Sequence, residues 1–369
     1  MNRFLRIIRT VFLIWPFAGC MGNTIIPSSD YMVLDNIAYI THFPKIIEIE
    51  QGECLDLDII GKSSLAIKDT ILIVSTSDEY GLWSFFSLPE HKYLGKYLMK
   101  GNGPNELLDA PRVNKQNFYN KNGDLYVLLY DFQSGRSYNV NISKTLSNNQ
   151  LVINHSRYAL PSALFNLSRL NDTTLLCKEV NNTLNQQIRY MLIAGQRAST
   201  KNLEKLNISS SGVYGGLNIL DTYTKCCPSR NIVIEAAMDL NQINLYSLDD
   251  SIGKTICVGA IVDNIRVIEN IERKDRMVCY EHLEPFPNYF GALYIYDTAE
   301  NIYYEKSKKN VLQFFDWCGN PLVEVKLDLM INSFDIDFLR GYLYTINYET
   351  DEVYIYDFHE VIDYLEKTK

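Results

Sequence analysis

This chain of 369 residues has few histidines, few basic runs and few helix-like stretches. It has five histidines and lacks both a G-x-S-x-G motif and a cysteine–histidine spacing of the zinc type, so no catalytic residue and no metal ligand is indicated. Acidic residues outnumber basic ones 44 to 35, and the longest basic run, residues 306–309, is short. Because nucleic-acid binding needs a basic surface, we expect no nucleic-acid partner, and no motif suggests a cofactor.

The first twenty residues resemble a bacterial lipoprotein signal. Arg3, Arg6 and Arg9 precede the apolar run 11–15, which is too short to span a bilayer, and Ala18-Gly19-Cys20 fits a lipobox. We predict that residues 1–19 are removed and that Cys20 carries lipid such as palmitate, which places the protein at the outer membrane. The alternative is an ordinary secretory signal with Cys20 as a bystander.

The segment after Cys20 contains no acidic residue before Asp30, which favours the periplasmic face over the cell surface. Removal of residues 1–19 leaves 32 basic and 44 acidic residues, a net charge of −12. Residues 20–39 are predicted to be the lipidated N-terminus and a linker, because glycine, proline and serine are frequent there. Residues 40–369 would then form one domain.

Seven cysteines follow Cys20, an odd number without a regular framework. One or two disulfides are compatible with export. The adjacent Cys226 and Cys227 are either a strained redox pair or two strand residues that face opposite ways.

A repeat of about fifty residues indicates the fold. A turn residue followed by an apolar strand recurs six times, at intervals of 44 to 66 residues, at Asp69, Asp124, Asp172, Asn231, Asp275 and Gly341. A second strand centre follows each of them, at Trp83, Tyr138, Tyr190, Leu245, Leu293 and Tyr354. This pattern predicts an all-β, six-bladed β-propeller, with residues 45–49 as a strand that closes the last blade. A seven-bladed propeller and a β-sandwich are the alternatives. Short helices are expected only over residues 358–365 and 199–206.

The loop Lys100-Gly101-Asn102-Gly103-Pro104-Asn105-Glu106-Leu107 sharpens this prediction. It resembles the G-x-G-P-x-E loop near the first blade of TolB-like six-bladed propeller lipoproteins of Bacteroides and its relatives, and the resemblance covers the whole mature chain. It implies a six-bladed fold and brings no established activity.

The same loop can be explained structurally or functionally. Its glycines would permit positive φ, Pro104 would fix the next turn, and Glu106 would accept backbone N–H bonds. Alternatively, Gly101, Asn102, Gly103, Pro104 and Glu106 present a ligand-binding face to the central funnel.

Other polar residues give weaker signals. Glu281 with Glu284 and Asp335 with Asp337 are possible paired acids, and the second pair would suit a calcium ligand or a solvated strand edge. His91, His155 and His282 fall in three different repeats but at different positions within them, so no common ring of histidines is expected.

The sequence therefore favours a monomeric, lipid-anchored binding module for a protein, peptide or glycan at the cell envelope. A hydrolase or lyase acting at the central funnel is the alternative. Charged side chains and at least two histidines converging at one mouth of the ring would favour the enzyme.

Overall fold

A computed structural model describes residues 30–156, 158, 160–161, 164–181, 185–210, 219–305 and 309–368. Cys20 and the signal segment lie outside these residues. In the described part, the strands form six sheets arranged around an axis. The protein is a six-bladed β-propeller, as predicted.

The chain first forms three short strands, which are β1 (Asn36–Ile40), β2 (Ile46–Ile49) and β3 (Glu53–Leu55). From the axis outward, blade 1 consists of β4 (Ser64–Lys68), β5 (Ile71–Ser75), β6 (Trp83–Ser87) and β7 (Tyr93–Tyr97). Blade 2 consists of β8 (Phe118–Lys121), β9 (Asp124–Asp131), β10 (Arg136–Asn141) and β11 (Ile153–His155). Blade 3 consists of β12 (Leu164–Arg169), β13 (Thr174–Asn181), β14 (Gln186–Ile193) and β15 (Gln196–Ala198).

Blades 4 to 6 consist of β16 (Thr222–Cys227), β17 (Ile232–Ala237), β18 (Gln242–Ser247) and β19 (Gly253–Val258); β20 (Met277–Pro285), β21 (Tyr289–Thr298), β22 (Val311–Asp316) and β23 (Pro321–Leu327); and β24 (Ile331–Asp337), β25 (Tyr342–Asn347) and β26 (Val353–Asp357) with β3. The helices are α1 (Ile142–Asn148), α2 (Lys201–Leu206), α3 (Ile265–Ile268) and α4 (His359–Lys367). Short turns of 3-10 or π helix lie at Val113–Lys115, Pro228–Arg230, Arg273–Asp275 and Asn301–Glu305.

The core lies between the blades, with an apolar cluster at each blade interface. In β5, Leu72 and Val74 face blade 6, whereas Ile73 faces blade 2. Cys226 and Cys227 likewise pack on opposite sides of blade 4, which confirms that they are strand residues facing opposite ways. Continuous apolar runs occur because successive side chains are buried on both faces of a blade.

Five of the six turn residues in the sequence repeat precede the second strand of a blade. The fifth, Asp275, instead precedes the inner strand β20. The second strand of blade 5 is β21, which follows Phe286-Pro287-Asn288. Both strands are apolar, so composition alone did not distinguish them, and the uneven intervals around Asp275 follow from this error.

The ring is closed by a different strand from the one predicted. β3 pairs antiparallel with β26, so that Cys54 lies opposite Tyr354. The predicted closing segment, residues 45–49, contains β2, which instead adds in parallel to β23 of blade 5. β1 adds in parallel to β19 of blade 4. Residues 30–55, the N-terminal strap, therefore cross the outside of three consecutive blades.

Residues before the predicted boundary at residue 40 also pack on the propeller. Met32 and Leu34 are buried between blades 3 and 4. The Met32 carbonyl accepts hydrogen bonds from the side chains of Gln242 and Asn244, and the Leu34 N–H donates to Thr255 Oγ1 at 2.8 Å. Residues 32–39 thus belong to blade 4, because their apolar side chains complete its interface.

The two short helices expected from the sequence correspond to α2 and α4, whereas α1 and α3 were not predicted. Within the described ranges, no helix is both long and apolar enough to cross a bilayer.

Candidate functional site

The ring has two distinct mouths because the inner strands run in a common direction. Backbone N–H groups of Leu65 and Ile67 on β4 donate to Ser333 and Asp335 on β24, which shows that these strands run in parallel. The mouth at which inner strands begin is here called the strand-start mouth, and the opposite one is the strand-end mouth.

A short segment of chain fills the axis between the two mouths. The Val113 N–H donates to Ser64 Oγ at 3.0 Å and to Ser75 Oγ at 2.8 Å. Lys225 Nζ donates to the carbonyl of Gln116 at 3.0 Å. Residues 113–116 are therefore bonded to blades 1 and 4, on opposite sides of the ring, so this segment crosses the axis.

At the strand-end mouth the buried charges are paired. Lys68 Nζ lies 3.3 Å from carboxylate oxygens of both Glu284 and Asp335, and Lys225 Nζ lies 2.9 Å from Glu284 Oε2. Burial opposes ionisation of Glu284, but Lys225 and Lys68 outweigh it and hold its pKa well below the usual range. These pairs join blades 1, 4, 5 and 6, so we interpret them as structural.

The strand-start mouth contains a cavity of about 120 Å³ between blades 4, 5 and 6. It is lined by Tyr223, Met238, Asp239, Arg273, Arg276, Val278, Tyr280, Glu281, Ile295, Ala299, Ile302 and Tyr348. Apolar walls and a small number of polar groups are typical of a ligand-binding recess.

Three polar atoms around this cavity lack a hydrogen-bond partner within the described residues: Arg276 Nε, the Tyr280 hydroxyl and Glu281 Oε2. Arg276 is 4% exposed and Tyr280 is fully buried. The other guanidinium nitrogens of Arg276 are held by Asp239 Oδ2 at 3.4 Å and the carbonyl of Ile271 at 3.2 Å. Buried polar groups are nearly always paired in folded proteins, so these atoms make the cavity the candidate site.

The local structure of β20 accounts for this arrangement. Its pairing with β21 is interrupted by bulges on both sides of Tyr280, so the alternation of side chains shifts there. Tyr280 packs on Tyr294 with ring centroids 5.1 Å apart, while the carboxylate of Glu281 lies close enough to Arg112 and Lys115 at the axis to interact with them.

Glu281 and Lys115 are both electrostatically perturbed. Burial raises the pKa of Glu281 to about 7, against the opposing effect of Arg112 and Lys115. Burial, with Arg112, lowers the pKa of Lys115, whose Nζ also lies 5.2 Å from the ring centre of Tyr223. Perturbed groups clustered at one recess are a feature of functional sites.

A second polar cluster lies next to the cavity, in blades 3 and 4. Lys178 Nζ donates to the carbonyl and hydroxyl oxygens of Thr222 and to Thr224 Oγ1, and burial lowers its pKa to about 8. Arg189 and Glu235 form a fully buried ion pair at 2.8 Å. The Lys178 ammonium group and the Arg189–Glu235 ion pair have their partners within the protein. We therefore interpret this cluster as structural and not as a ligand-binding group.

The loop predicted from the family resemblance forms a compact turn between blades 1 and 2. Gly103 N–H donates to Glu106 Oε2 at 2.7 Å, and Arg136 Nη1 and the Tyr138 hydroxyl donate to carbonyls of the loop. The expected positive φ is not found at Gly101 or Gly103. A Cβ at either position would overlap the carboxyl group of Glu106, which would have to move and give up its hydrogen bond with the Gly103 N–H. A ligand-binding role for Gly101, Asn102, Gly103, Pro104 and Glu106 stays a prediction, as does the lipidation of Cys20.

The histidines do not converge in the described structure. His282 lies at the axis, where its Nδ1 accepts from the Phe334 N–H, His91 bonds to Tyr344 on the flank of blade 1, and His155 lies on the outer strand of blade 2. Among the described residues, no group of histidine, cysteine, aspartate and glutamate side chains is arranged to hold a metal ion. The seven cysteines after Cys20 are free thiols in the structure.

The paired acids separate into different roles. Glu284 is part of the strand-end ion pairs, whereas Glu281 borders the strand-start cavity. Asp335 and Asp337 are buried and paired with Lys68 and Arg340, so they form neither a solvated edge nor a calcium site. The expectation failed because the inner strands are covered on both faces.

Sequence reasoning missed Arg276, Tyr280 and Lys115. Arg276 stands in a charged run, residues 272–276, that has the composition of a solvated turn. Its position directly before an inner strand was the available signal, because such residues surround the mouth of a propeller.

Comparisons with solved structures agree with the fold. A Bacteroides fragilis NCTC 9343 protein named as exported has a TM-score of 0.51 and 10% identity, over 85% of this chain and 99% of that chain. A member of the DUF4221 family from Bacteroides vulgatus ATCC 8482 has a TM-score of 0.52 and 11% identity, over 83% and 94% of the two chains. No family model and no curated protein sequence matches. At 10–11% identity, the similarity to these two structures shows a common fold.

Proposed function

We propose that this protein is an interaction module of the cell envelope that binds part of a peptide or glycan partner at its strand-start mouth. The observation that carries the proposal is the cavity there, with three unpartnered polar atoms on a closed, rigid ring. The strand-end mouth is less suited, because none of the described residues lining its recess has a buried side-chain atom without a partner. Similarity to a protein named as exported supports an envelope location.

The proposal includes a lipid anchor on Cys20 and the TolB-like lipoprotein character that the loop suggests. Asp30 accepts a backbone hydrogen bond from Ile265 and pairs with Arg266, in the connection that leads to Arg273 and Arg276. A lipid anchor on Cys20 would therefore join the domain on the side of the strand-start mouth. Ten residues from Cys20 to Asp30 extend at most about 36 Å, so such an anchor would keep this mouth near the membrane surface.

The alternative of a hydrolase or lyase is less well supported. A propeller enzyme of that kind would need a base and a nucleophile or metal within hydrogen-bond distance at one mouth. In the described part of the chain, the strand-start cavity is bordered by Glu281 and two arginines but by no histidine, cysteine or serine.

Site-specific photocrosslinking in the bacterium that encodes the chain tests the binding face. A photoreactive phenylalanine analogue replaces Tyr304, which is 82% exposed beside the strand-start mouth, or Leu339, which is 77% exposed at the strand-end mouth. We expect adducts from position 304 that excess wild-type protein competes away. Equal adducts from both positions, or adducts from 339 only, would contradict the proposal.

Fractionation tests the anchor separately. Cys20→Ala should move the protein from the membrane pellet to the soluble envelope fraction and abolish labelling by an alkyne-tagged fatty acid. Retention of the variant in the pellet with unchanged labelling would show that Cys20 is not the acylated residue.

A further inference from the structure

We propose that the strand-start cavity binds the C-terminal residue of a peptide, taking its carboxylate together with a small aliphatic side chain. This inference rests on the proposed function and specifies the ligand of the same site. The donors, the charge and the size of the cavity each support it.

The donors favour an acceptor with several lone pairs. Arg276 Nε and the Tyr280 hydroxyl each have a hydrogen to donate and no described partner. Arg276 is already fixed by Asp239 and by the carbonyl of Ile271, so its free N–H is held in place before a ligand arrives. A carboxylate can accept from both groups, and hydrogen bonds between charged partners are the stronger kind.

The charges around the cavity favour an anion. Arg273 and Arg276 line it together with two carboxyl groups, of which Asp239 is engaged with Arg276. The other is Glu281, whose pKa burial raises to about 7, so much of it carries no charge at neutral pH. A ligand ammonium group would approach two guanidinium groups, whereas a carboxylate is attracted by both.

The size and walls favour a small aliphatic group. A volume of about 120 Å³ is small beside the roughly 300–1,000 Å³ of pockets that enclose a whole small ligand. Five of the lining side chains are aliphatic: Met238, Val278, Ile295, Ala299 and Ile302. The side chain of a terminal alanine or valine matches these walls, whereas the hydroxyl groups of a hexose would face them without hydrogen-bond partners. The rest of a peptide would extend outward through the mouth.

The test uses the full-length lipoprotein in detergent micelles and isothermal titration calorimetry. The probes are acetyl-Ala-Ala with a free carboxylate and the same dipeptide as its C-terminal amide. We expect the acid to bind at least tenfold more tightly than the amide. Equal binding of the two probes, or binding of neither, would overturn the inference.

Two conservative variants locate the binding. Tyr280→Phe removes only the unpartnered hydroxyl and keeps the ring packed on Tyr294, and Arg276→Lys removes the Nε donor but keeps the charge. Each should weaken binding of the acid about tenfold, the expected loss for one hydrogen bond to a charged group. Arg340→Lys, at the strand-end mouth, is the matched control and should leave binding unchanged. Unchanged affinity in Tyr280→Phe, with a wild-type melting temperature, would refute the assignment.

The outcome is distinguishable from failure of the proposed function. N-acetylglucosamine is titrated in parallel. Binding of the sugar, lost in Arg276→Lys, would overturn the peptide assignment but leave an interaction module at this mouth. Absence of crosslinking from position 304 would instead remove the module itself.

Discussion

Glu281 and Glu284 lie three residues apart on β20, yet their surroundings shift their pKa values in opposite directions. Lys68 and Lys225 contact Glu284 directly, whereas Glu281 has an unpartnered oxygen and interacts only at longer range with Arg112 and Lys115. Glu284 therefore stabilises the folded ring through its ion pairs, whereas ionisation of Glu281 destabilises the folded state.

This difference predicts a pH-dependent effect of Glu281→Gln. Because the folded pKa of about 7 is above the ordinary 4.5, the native state holds the proton more tightly, and stability falls as pH rises from about 4.5 to about 7. The variant should therefore raise the free energy of unfolding by about 1–3 kcal/mol at pH 8 and by much less at pH 5. Urea unfolding at both pH values measures this.

Glu284→Gln is the control, because it leaves Lys68 and Lys225 without their shared partner and should destabilise the ring at both pH values. An equal effect of Glu281→Gln at pH 5 and pH 8 would show that its carboxyl is not perturbed. Arg273, Arg276 and Asp239 also border this cavity. An anion bound to the two arginines would change the charge around Glu281, so both unfolding measurements are made without added anions.

Residue roles were only partly predictable from the sequence. The alternating environments of Cys226 and Cys227 followed from strand geometry alone. The placement of Arg276 and Tyr280 at one cavity did not, because it depends on bulges in β20 and on neighbours from other blades. Such long-range proximity leaves no local pattern in a single sequence.

At the scale of elements, the Gly101–Glu106 loop is held by a contact and not by unusual backbone angles. We expect Gly101→Ala to destabilise the protein by about 1 kcal/mol, because its methyl group would displace the Glu106 carboxylate and break the hydrogen bond with the Gly103 N–H. Thermal unfolding of the single and double variants measures the effect.

In the Glu106→Ala background the same glycine substitution should cost far less, because the overlapping group is gone. Additive losses in the double variant would mean that the glycine is required for another reason.

The N-terminal strap offers a matched pair of substitutions in β2. Ile47 is 4% exposed between blades 5 and 6, whereas its neighbour Ile46 is 50% exposed. Ile47→Ala should lower the free energy of unfolding by about 2–4 kcal/mol and Ile46→Ala by about 0.5 kcal/mol or less. Denaturant titration of the two variants checks this, and similar losses would show that β2 does not pack as described.

Elements were predicted well where apolar runs and turn residues coincide, and poorly where strands join by pairing alone. The second strands of five blades carried the repeat. β1 and β2 add in parallel to outer strands, and nothing in their own residues specifies a partner. β3 closes the ring with three residues, too few to show a period.

At the scale of the whole molecule, the six-bladed ring could be predicted from the sequence because the repeat extends over the chain. Closure of the ring also makes unfolding cooperative, because each blade packs against two neighbours. Trp83 reports on blade 1 and Trp317 on blade 5. We expect Trp83 and Trp317 to lose their native fluorescence at the same denaturant concentration, measured in Trp317→Phe and Trp83→Phe variants that also carry Trp15→Phe, after correction for each variant's stability. Separate midpoints would mean that blades unfold independently.

The pairing of Cys54 with Tyr354 joins positions 300 residues apart in sequence. During synthesis, β3 emerges long before β24–β26 exist, so it spends that interval without its hydrogen-bonding neighbour. Contacts of such wide sequence separation slow folding, and an unpaired strand edge in the meantime can associate with other chains. A newly synthesised copy therefore passes through an open-ring stage that is prone to association, and this stage ends when its final forty residues arrive.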